Sequence, residues 1–168
     1  SCHTVPFEDL VNKGGHQPGS KFELLSWANG EVRHHYLNGA TNPPPSKESQ
    51  RLYFVLGQAL DLEYGLRGLA KATSEDTYAV AMAKRADAAR KKVVKLNDML
   101  NLPELAAILV VAKREELKLN NAAVLEQAAK VVGEQARQLV ANYGQDSSKL
   151  AALDPILEQV TFKGEVAP

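Results

Sequence analysis

The sequence has one cysteine among 168 residues, so no disulfide can form within the chain. Its longest uncharged apolar run, residues 105–112, is far shorter than the roughly 18 residues that a membrane-spanning helix needs. The net charge is zero, so the chain as a whole lacks the strong positive field that draws proteins to nucleic acid. With 45% hydrophobic and 24% charged residues, the composition is that of one globular domain with an ordinary core.

Motifs for catalysis, cofactors and metals are missing as well. There is no G-x-S-x-G nucleophile turn, no glycine-rich phosphate loop and no C-x-x-C-H haem motif. The four histidines all precede the predicted helices, and their spacing matches no zinc signature. They are His3, His16, His34 and His35. Met82 and Met99 are predicted to be core residues. The sequence therefore predicts a protein that is not an enzyme and has no catalytic residue, metal site or cofactor.

The most regular pattern lies in residues 79–100, where apolar residues recur at steps of three and four. These residues are Ala79, Met82, Ala86, Ala89, Val93, Leu96 and Leu100. Such a heptad seam predicts a helix that is apolar on one side and cannot bury that side alone. We expect this helix to begin at Thr73 or Ser74 and to pack against partner helices within the chain. A seam this regular would also suit a homodimer.

Three further helices are predicted around the seam helix. One begins at Ser46, which follows Pro45, and ends near Ala72. Another begins at Pro103 and continues to about residue 119, and the last covers residues 122–143. Because the connections are short, consecutive helices should be antiparallel neighbours. The predicted fold class is all-α, and the predicted architecture is an antiparallel up-and-down four-helix bundle over residues 46–144. A tail, residues 145–168, should follow the bundle, with a short helix at 147–153 and a frayed end.

The first 45 residues are predicted to be a tether with a β-hairpin. Asn29-Gly30 is the preferred pair for a two-residue hairpin turn, and residues 21–28 and 31–37 on either side would be its strands. A helix over residues 21–28 is the alternative. The proline-rich stretch 38–45 predicts a stiff linker that separates this part from the bundle.

Three glycines lie within the helix predicted from Ser46. Gly57, Gly65 and Gly68 each weaken that helix by up to about 1 kcal/mol, so each should have a reason to be there. Close approach of a neighbouring helix is the favoured interpretation. A cavity for a small ligand beside these glycines is the alternative.

The seam helix also carries the clearest candidate for a binding surface. Lys84, Lys91 and Lys95 share one side of it, and Arg85 and Lys92 flank them. We call these five residues the basic face. Such a face could meet anionic lipid, nucleic acid or an acidic protein partner. Nucleic acid is the less favoured of these, because no aromatic residues are interleaved with the face. The alternative is a solvated surface whose charges are paired within the molecule with glutamates of the two predicted helices that follow.

Ser1-Cys2 resembles the start of mature bacterial lipoproteins, in which a cysteine beside a small residue carries the lipid. The resemblance implies that Cys2 is a lipid-attachment residue that anchors the chain to a membrane. It also implies a place in the bacterial cell envelope, either periplasmic or surface-exposed. A cytoplasmic location is the alternative.

Three functional hypotheses follow from the sequence. The first is a non-enzymatic envelope lipoprotein whose helical bundle is an interaction or scaffold module for a protein partner. The second is a soluble helical module that binds an acidic protein or nucleic acid through the basic face. The third is a bundle that binds a small ligand near the glycines.

Overall fold

The computed structural model describes residues 4–30 and 45–164, and in these residues the chain is mostly helical and has no strand. The all-α prediction is confirmed. The described helices are α1 (Glu8–Asn12), α2 (Leu24–Ala28), α3 (Lys47–Lys71), α4 (Thr77–Leu100), α5 (Pro103–Val111), α6 (Ala122–Tyr143) and α7 (Asp154–Leu157). Two 3₁₀ turns accompany them, Arg114–Glu116 and Ser148–Leu153.

Helix α3 is the centre of the fold and packs against both α4 and α6. A Cβ on Gly65 of α3 would lie 3.0 Å from the backbone nitrogen of Ala86 in α4, so these two helices nearly touch. Gly68, three residues later on α3, faces Met82, which is four residues earlier on α4, so residue numbers on the two helices run in opposite directions. Helix α5 packs against α4 and α6.

The seam predicted for α4 is buried within the chain. Six of its seven residues are core residues, and Leu100, at the end of the helix, is half-buried. Branched aliphatic side chains of α3 pack against the seam, and similar side chains of α6 belong to the same core. Those with no exposed surface include Val55, Leu62, Val132 and Leu139. Burying one such side chain contributes about 1.5–3 kcal/mol, so this contact is the main source of stability.

Helix α4 begins later than the sequence predicts. Its first residue is Thr77, and the carboxylate of Asp76 accepts a hydrogen bond from the Thr77 backbone nitrogen. The predicted caps, Thr73 and Ser74, instead donate their backbone N–H groups and hydroxyls to the carboxylate of Glu8 in the N-terminal segment. A long-range partner that the local sequence does not reveal has therefore moved the start of the helix.

The third predicted helix is shorter than expected. Helix α5 ends at Val111, and the charged residues after it form only the 3₁₀ turn Arg114–Glu116. The chain leaves the helix at Ala112, whose carbonyl accepts a hydrogen bond of 2.7 Å from Nε of Arg90 in α4. The architecture is thus three long helices with one helix of nine residues beside them, and the four-helix bundle is not confirmed.

The predicted β-hairpin is not confirmed either. Residues Leu24–Ala28 form a helix, as the alternative prediction states, because the Glu23 carboxylate accepts hydrogen bonds from the backbone nitrogens of Leu25 and Ser26. This cap stabilises the first turn of α2 and buries Leu25 completely. The second predicted strand, 31–37, and most of the predicted linker lie outside the described residues.

The C-terminal segment, residues 145–164, is attached to the rest of the chain. Arg51 of α3 donates two hydrogen bonds of 2.7 Å to Asp154. The short helix predicted at 147–153 is a 3₁₀ turn, Ser148–Leu153, and α7 follows it directly. The prediction of a frayed end is wrong as far as residue 163. Lys163 donates its backbone N–H to the carbonyl of Ser26, and its ammonium group lies 5.9 Å from the Trp27 ring centroid.

Candidate functional site

The basic face lies on the side of α4 that points away from the core. Lys84, Lys91, Lys92 and Lys95 are exposed, whereas Arg85 is half-buried. The arrangement follows from the helical period, because positions seven and four apart stand above one another while the seam occupies the opposite side. The structure therefore places the four lysines together on one exposed surface.

Two of the five residues are already paired within the chain. The guanidinium of Arg85 donates a hydrogen bond of 2.6 Å to Asp61 of α3 and another of 3.3 Å to the backbone oxygen of Ser20. Lys91 pairs with Asp87 one turn earlier at 2.7 Å, and this pairing lowers the pKa of Asp87. Arg85 thus joins α4 to α3 and to the N-terminal segment.

The other three residues of the basic face have no ion pair in the described part of the chain. They are Lys84, Lys92 and Lys95. Internal pairing in the described residues therefore involves Arg85 and Lys91 only, and the partners are aspartates of α3 and α4, not glutamates of the later helices as predicted. The ammonium groups of Lys84, Lys92 and Lys95 can bind carboxylates of another molecule without first breaking an ion pair.

A groove of about 500 Å³ runs along the edge of this surface, between α4 and the chain at residues 18–23. Lys84 and Lys92 line it, together with Lys21 from the opposite wall. Two carboxylates also line it, but Asp61 is paired with Arg85, and Glu23 caps α2. Burial raises the pKa of Glu23, whereas its backbone hydrogen bonds and the nearby charge of Lys92 act to lower it. The lysines consequently dominate the electrostatics of the rim.

The structure offers little chemistry for catalysis or metal binding in its described part. No group of three or more histidine, cysteine, aspartate or glutamate side chains could hold a metal ion among residues 4–30 and 45–164. His16 is exposed, and its Nδ1 lies 2.7 Å from the backbone oxygen of Gln17. His3, His34, His35 and the predicted lipid-attachment residue Cys2 lie outside the described residues. No described helix is long and apolar enough to cross a membrane.

The methionine prediction is half right. Met82 is buried in the core, but Met99, on the same helix, is 43% exposed. Met82 belongs to the seam, whereas Met99 lies between the seam positions Leu96 and Leu100 and points away from the core.

A second site was anticipated only in outline. Gly68 of α3 lines a small cavity of about 130 Å³, which Tyr78 and Met82 of α4 also border. The hydroxyl of Tyr78 has no hydrogen-bond partner although the residue has no exposed surface. Gly68 was the one sequence signal for this cavity. Tyr78 gives none, since a tyrosine at the start of a helix has the ordinary pattern of a core aromatic.

Comparisons with protein-family models, curated proteins and solved structures give no match to this chain. The surface of α4 and the cavity beside Gly68 are therefore the two features that bear on the function.

Proposed function

We propose that the chain is a non-enzymatic helical module that holds an acidic segment of a protein partner on the basic face of α4. One observation carries this proposal: Lys84, Lys92 and Lys95 are exposed, stand on one surface and have no ion pair in the described residues. Separately, each lysine is an ordinary solvated side chain. Together they form a surface on which carboxylates at a spacing of one or two helical turns can each find an ammonium group.

The groove beside the face favours a protein segment as the occupant. Its wall at residues 18–23 contains Phe22 and Pro18, and its floor includes Ala81 and Ala88 of α4. An acidic peptide with apolar side chains can use both the lysines and these apolar walls. Nucleic acid is disfavoured, since no aromatic residue is interleaved with the lysines of the face, the Phe22 ring in the groove packs against Trp27, and the whole chain has no net charge.

Two parts of the sequence hypothesis stay predictions beside this proposal. The envelope location and the lipid on Cys2 depend on residues outside the described part, and a mass measurement on the N-terminal peptide from a bacterial host tests them. A homodimer also stays a prediction. For the fold, we propose that α5 is the fourth and shortest member of an up-and-down bundle, because it packs against both α4 and α6.

The proposal is tested with a fluorescent peptide of glutamates interrupted by leucine, whose binding is followed by fluorescence anisotropy. The test variant changes Lys84, Lys92 and Lys95 to glutamine. The control variant makes the same change in overall charge at three other exposed lysines that lack an ion pair in the described residues, Lys113, Lys118 and Lys130. At about 0.2–1 kcal/mol for each exposed pair, the test variant should bind roughly three- to a hundredfold more weakly. The control should match the wild type within about twofold, the accuracy of additive surface changes.

Salt and a second probe sharpen the result. Binding through the lysines should weaken as salt rises from low to physiological concentration, because the surface charges are then screened. Equal losses in the two variants would mean that only net charge matters, and the proposal would fail. If a duplex DNA bound more tightly than the peptide, with the same dependence on the three lysines, the partner would be nucleic acid and the proposal would fail.

A further inference from the structure

The small cavity beside Gly68 has features that packing alone does not explain. It lies between α3, α4 and the start of the described chain, and Val5, Pro6 and Met82 give it largely apolar walls. Gly68 keeps it open, because a Cβ at that position would collide with the sulfur of Met82 and lie 3.4 Å from the Tyr78 hydroxyl oxygen. The cavity is distinct from the groove beside the basic face, although Met82 borders both.

Tyr78 is the second and independent feature. Its side chain has no exposed surface, and its hydroxyl has no hydrogen-bond partner. Buried polar groups are almost always hydrogen-bonded, so a fully buried hydroxyl beside a cavity indicates a partner that occupies the cavity. Burial and the nearby charge of Glu8 raise the pKa of Tyr78, so the hydroxyl keeps its proton at neutral pH and can act as a donor.

The charges at the rim select the sign of that partner. Lys71, at the end of α3, lines the cavity and has no ion pair in the described residues. Arg67 also lines it, but its guanidinium is held by Glu63 at 2.8 Å. A neutral donor inside and a cation at the rim suit an anion, and the nearby carboxylate of Glu8 is already engaged by four hydrogen bonds from Thr73 and Ser74. The apolar walls suit an anion that carries a short hydrocarbon part, because an inorganic ion would lose its hydration without enough donors to replace it.

We propose that this cavity binds a small monocarboxylate, with its carboxylate between the Tyr78 hydroxyl and Lys71 and its hydrocarbon part against Met82. The volume of about 130 Å³ sets the size. Since a water molecule takes up about 30 Å³ of liquid, the cavity holds a ligand of about five non-hydrogen atoms. Propionate has this size and chemistry.

The chain provides its own reporters for a test. It has two methionines on one helix, Met82 in the wall of the cavity and Met99 exposed near the other end of α4. With ¹³C-labelled methionine methyl groups in the full chain, two-dimensional NMR follows both during a titration with propionate. We expect the Met82 signal to shift and saturate while the Met99 signal stays in place.

Two test variants, one control variant and one control probe separate this proposal from its alternatives. Tyr78→Phe should weaken propionate binding about tenfold or more, the usual effect of losing a hydrogen bond to a charged group. Lys71→Gln should weaken it several-fold, whereas Lys113→Gln on a distant surface should not change it. 1-Propanol should bind at least about tenfold more weakly than propionate, because it lacks the charge that the tyrosine and lysine recognise.

Three results would overturn the proposal. If the Met82 signal did not shift, propionate would not enter the cavity. Equal affinity for propanol and propionate would mean a purely apolar cavity. Unchanged affinity in both Tyr78→Phe and Lys71→Gln would place the carboxylate elsewhere. Since Lys71 is on the surface, Lys71→Gln keeps the test decisive even if Tyr78→Phe does not fold.

Discussion

The helical core and the two segments that flank it are held together by different physics. Helices α3, α4 and α6 meet mainly through apolar and small side chains, with the backbone of Gly65 close to that of Ala86. The N-terminal and C-terminal segments bury only a few apolar side chains in the same core, and single polar side chains, chiefly Glu8, Glu23 and Asp154, add to their attachment. Packing spreads stability over many contacts, whereas each polar attachment is a separate bond. The flanks should therefore detach one at a time, and the core should unfold as a unit.

The largest expected effect comes from placing the same bulky side chain in the core and at a flank. Gly65→Val would push a side chain into the backbone of α4, and overpacking of this kind costs about 2–3 kcal/mol. Gly57→Val on the same helix meets mainly the side chain of Leu24 in the five-residue α2, which can move away, so we expect about 1 kcal/mol. Urea unfolding measures both. Equal losses would mean that α2 belongs to the same cooperative unit as the core.

The helical core is easier to predict from the sequence than the attachment of the flanking segments, because packing contacts repeat along a helix and single polar bonds do not. The buried seam of α4 was predictable because its residues repeat along one helix, and Ser46 was predictable as a cap because its partner, Ser49, is three residues away. The start of α4 was not, since Thr73 and Ser74 are occupied by Glu8, which is some 65 residues distant. Local patterns reveal contacts that repeat or lie close in sequence, and single long-range bonds leave no pattern.

In the candidate sites too, features that repeat along one helix were predictable, whereas contacts between helices were not. The basic face was visible because four lysines on one helix follow its period. The pairing of Arg85 with Asp61 was not visible, since it depends on how α3 and α4 are aligned. The cavity was indicated by Gly68, but its hydroxyl donor depends on the same alignment, which brings Tyr78 next to that glycine.

Two buried tyrosines test the core next and should respond in opposite directions. Tyr78→Phe removes a hydroxyl that has no partner, so we expect the free energy of unfolding to rise by about 1 kcal/mol. Tyr143→Phe removes a hydroxyl that donates to the buried carboxylate of Glu104 at 3.2 Å, and we expect a loss of about 1–2 kcal/mol. Thermal unfolding of the ligand-free chain measures both. A loss in Tyr78→Phe would show that its hydroxyl has a partner even in the absence of a ligand.

The attachment of the N-terminal segment should depend on pH. Hydrogen bonds from Ser74 and Thr73 hold the pKa of Glu8 at about 2, below its usual 4.5. Because the folded-state pKa is the lower one, the carboxylate contributes stability above about pH 4.5, and this contribution disappears as the pH falls towards 2. Glu8→Gln should cost about 1 kcal/mol at neutral pH, as for the loss of a helix cap, and less in acid.

The control for this pH dependence is Glu126→Gln, at an exposed position of α6. It should change neither the stability nor its slope with pH between 5 and 2, within about 0.5 kcal/mol. The pKa of Asp154 is also about 2, so the wild type and both variants share that second contribution and it cancels from their differences. A Glu8→Gln variant whose loss persists undiminished in acid would mean that the charge of Glu8 is not what holds α1.

The smallest effect is expected at the far end of the chain, where the C-terminal segment meets α2. The Ser26 hydroxyl donates to the carbonyl of Thr161 at 2.7 Å, and Ser26→Ala removes this bond but keeps the backbone bond from Lys163. Loss of one exposed hydrogen bond should lower stability by only about 0.5 kcal/mol. Hydrogen exchange should nevertheless accelerate at residues 161–163 and leave α3 protected. If α3 exchanged faster as well, the flank and the core would be one cooperative unit, because opening the weakest attachment would then loosen the centre of the fold.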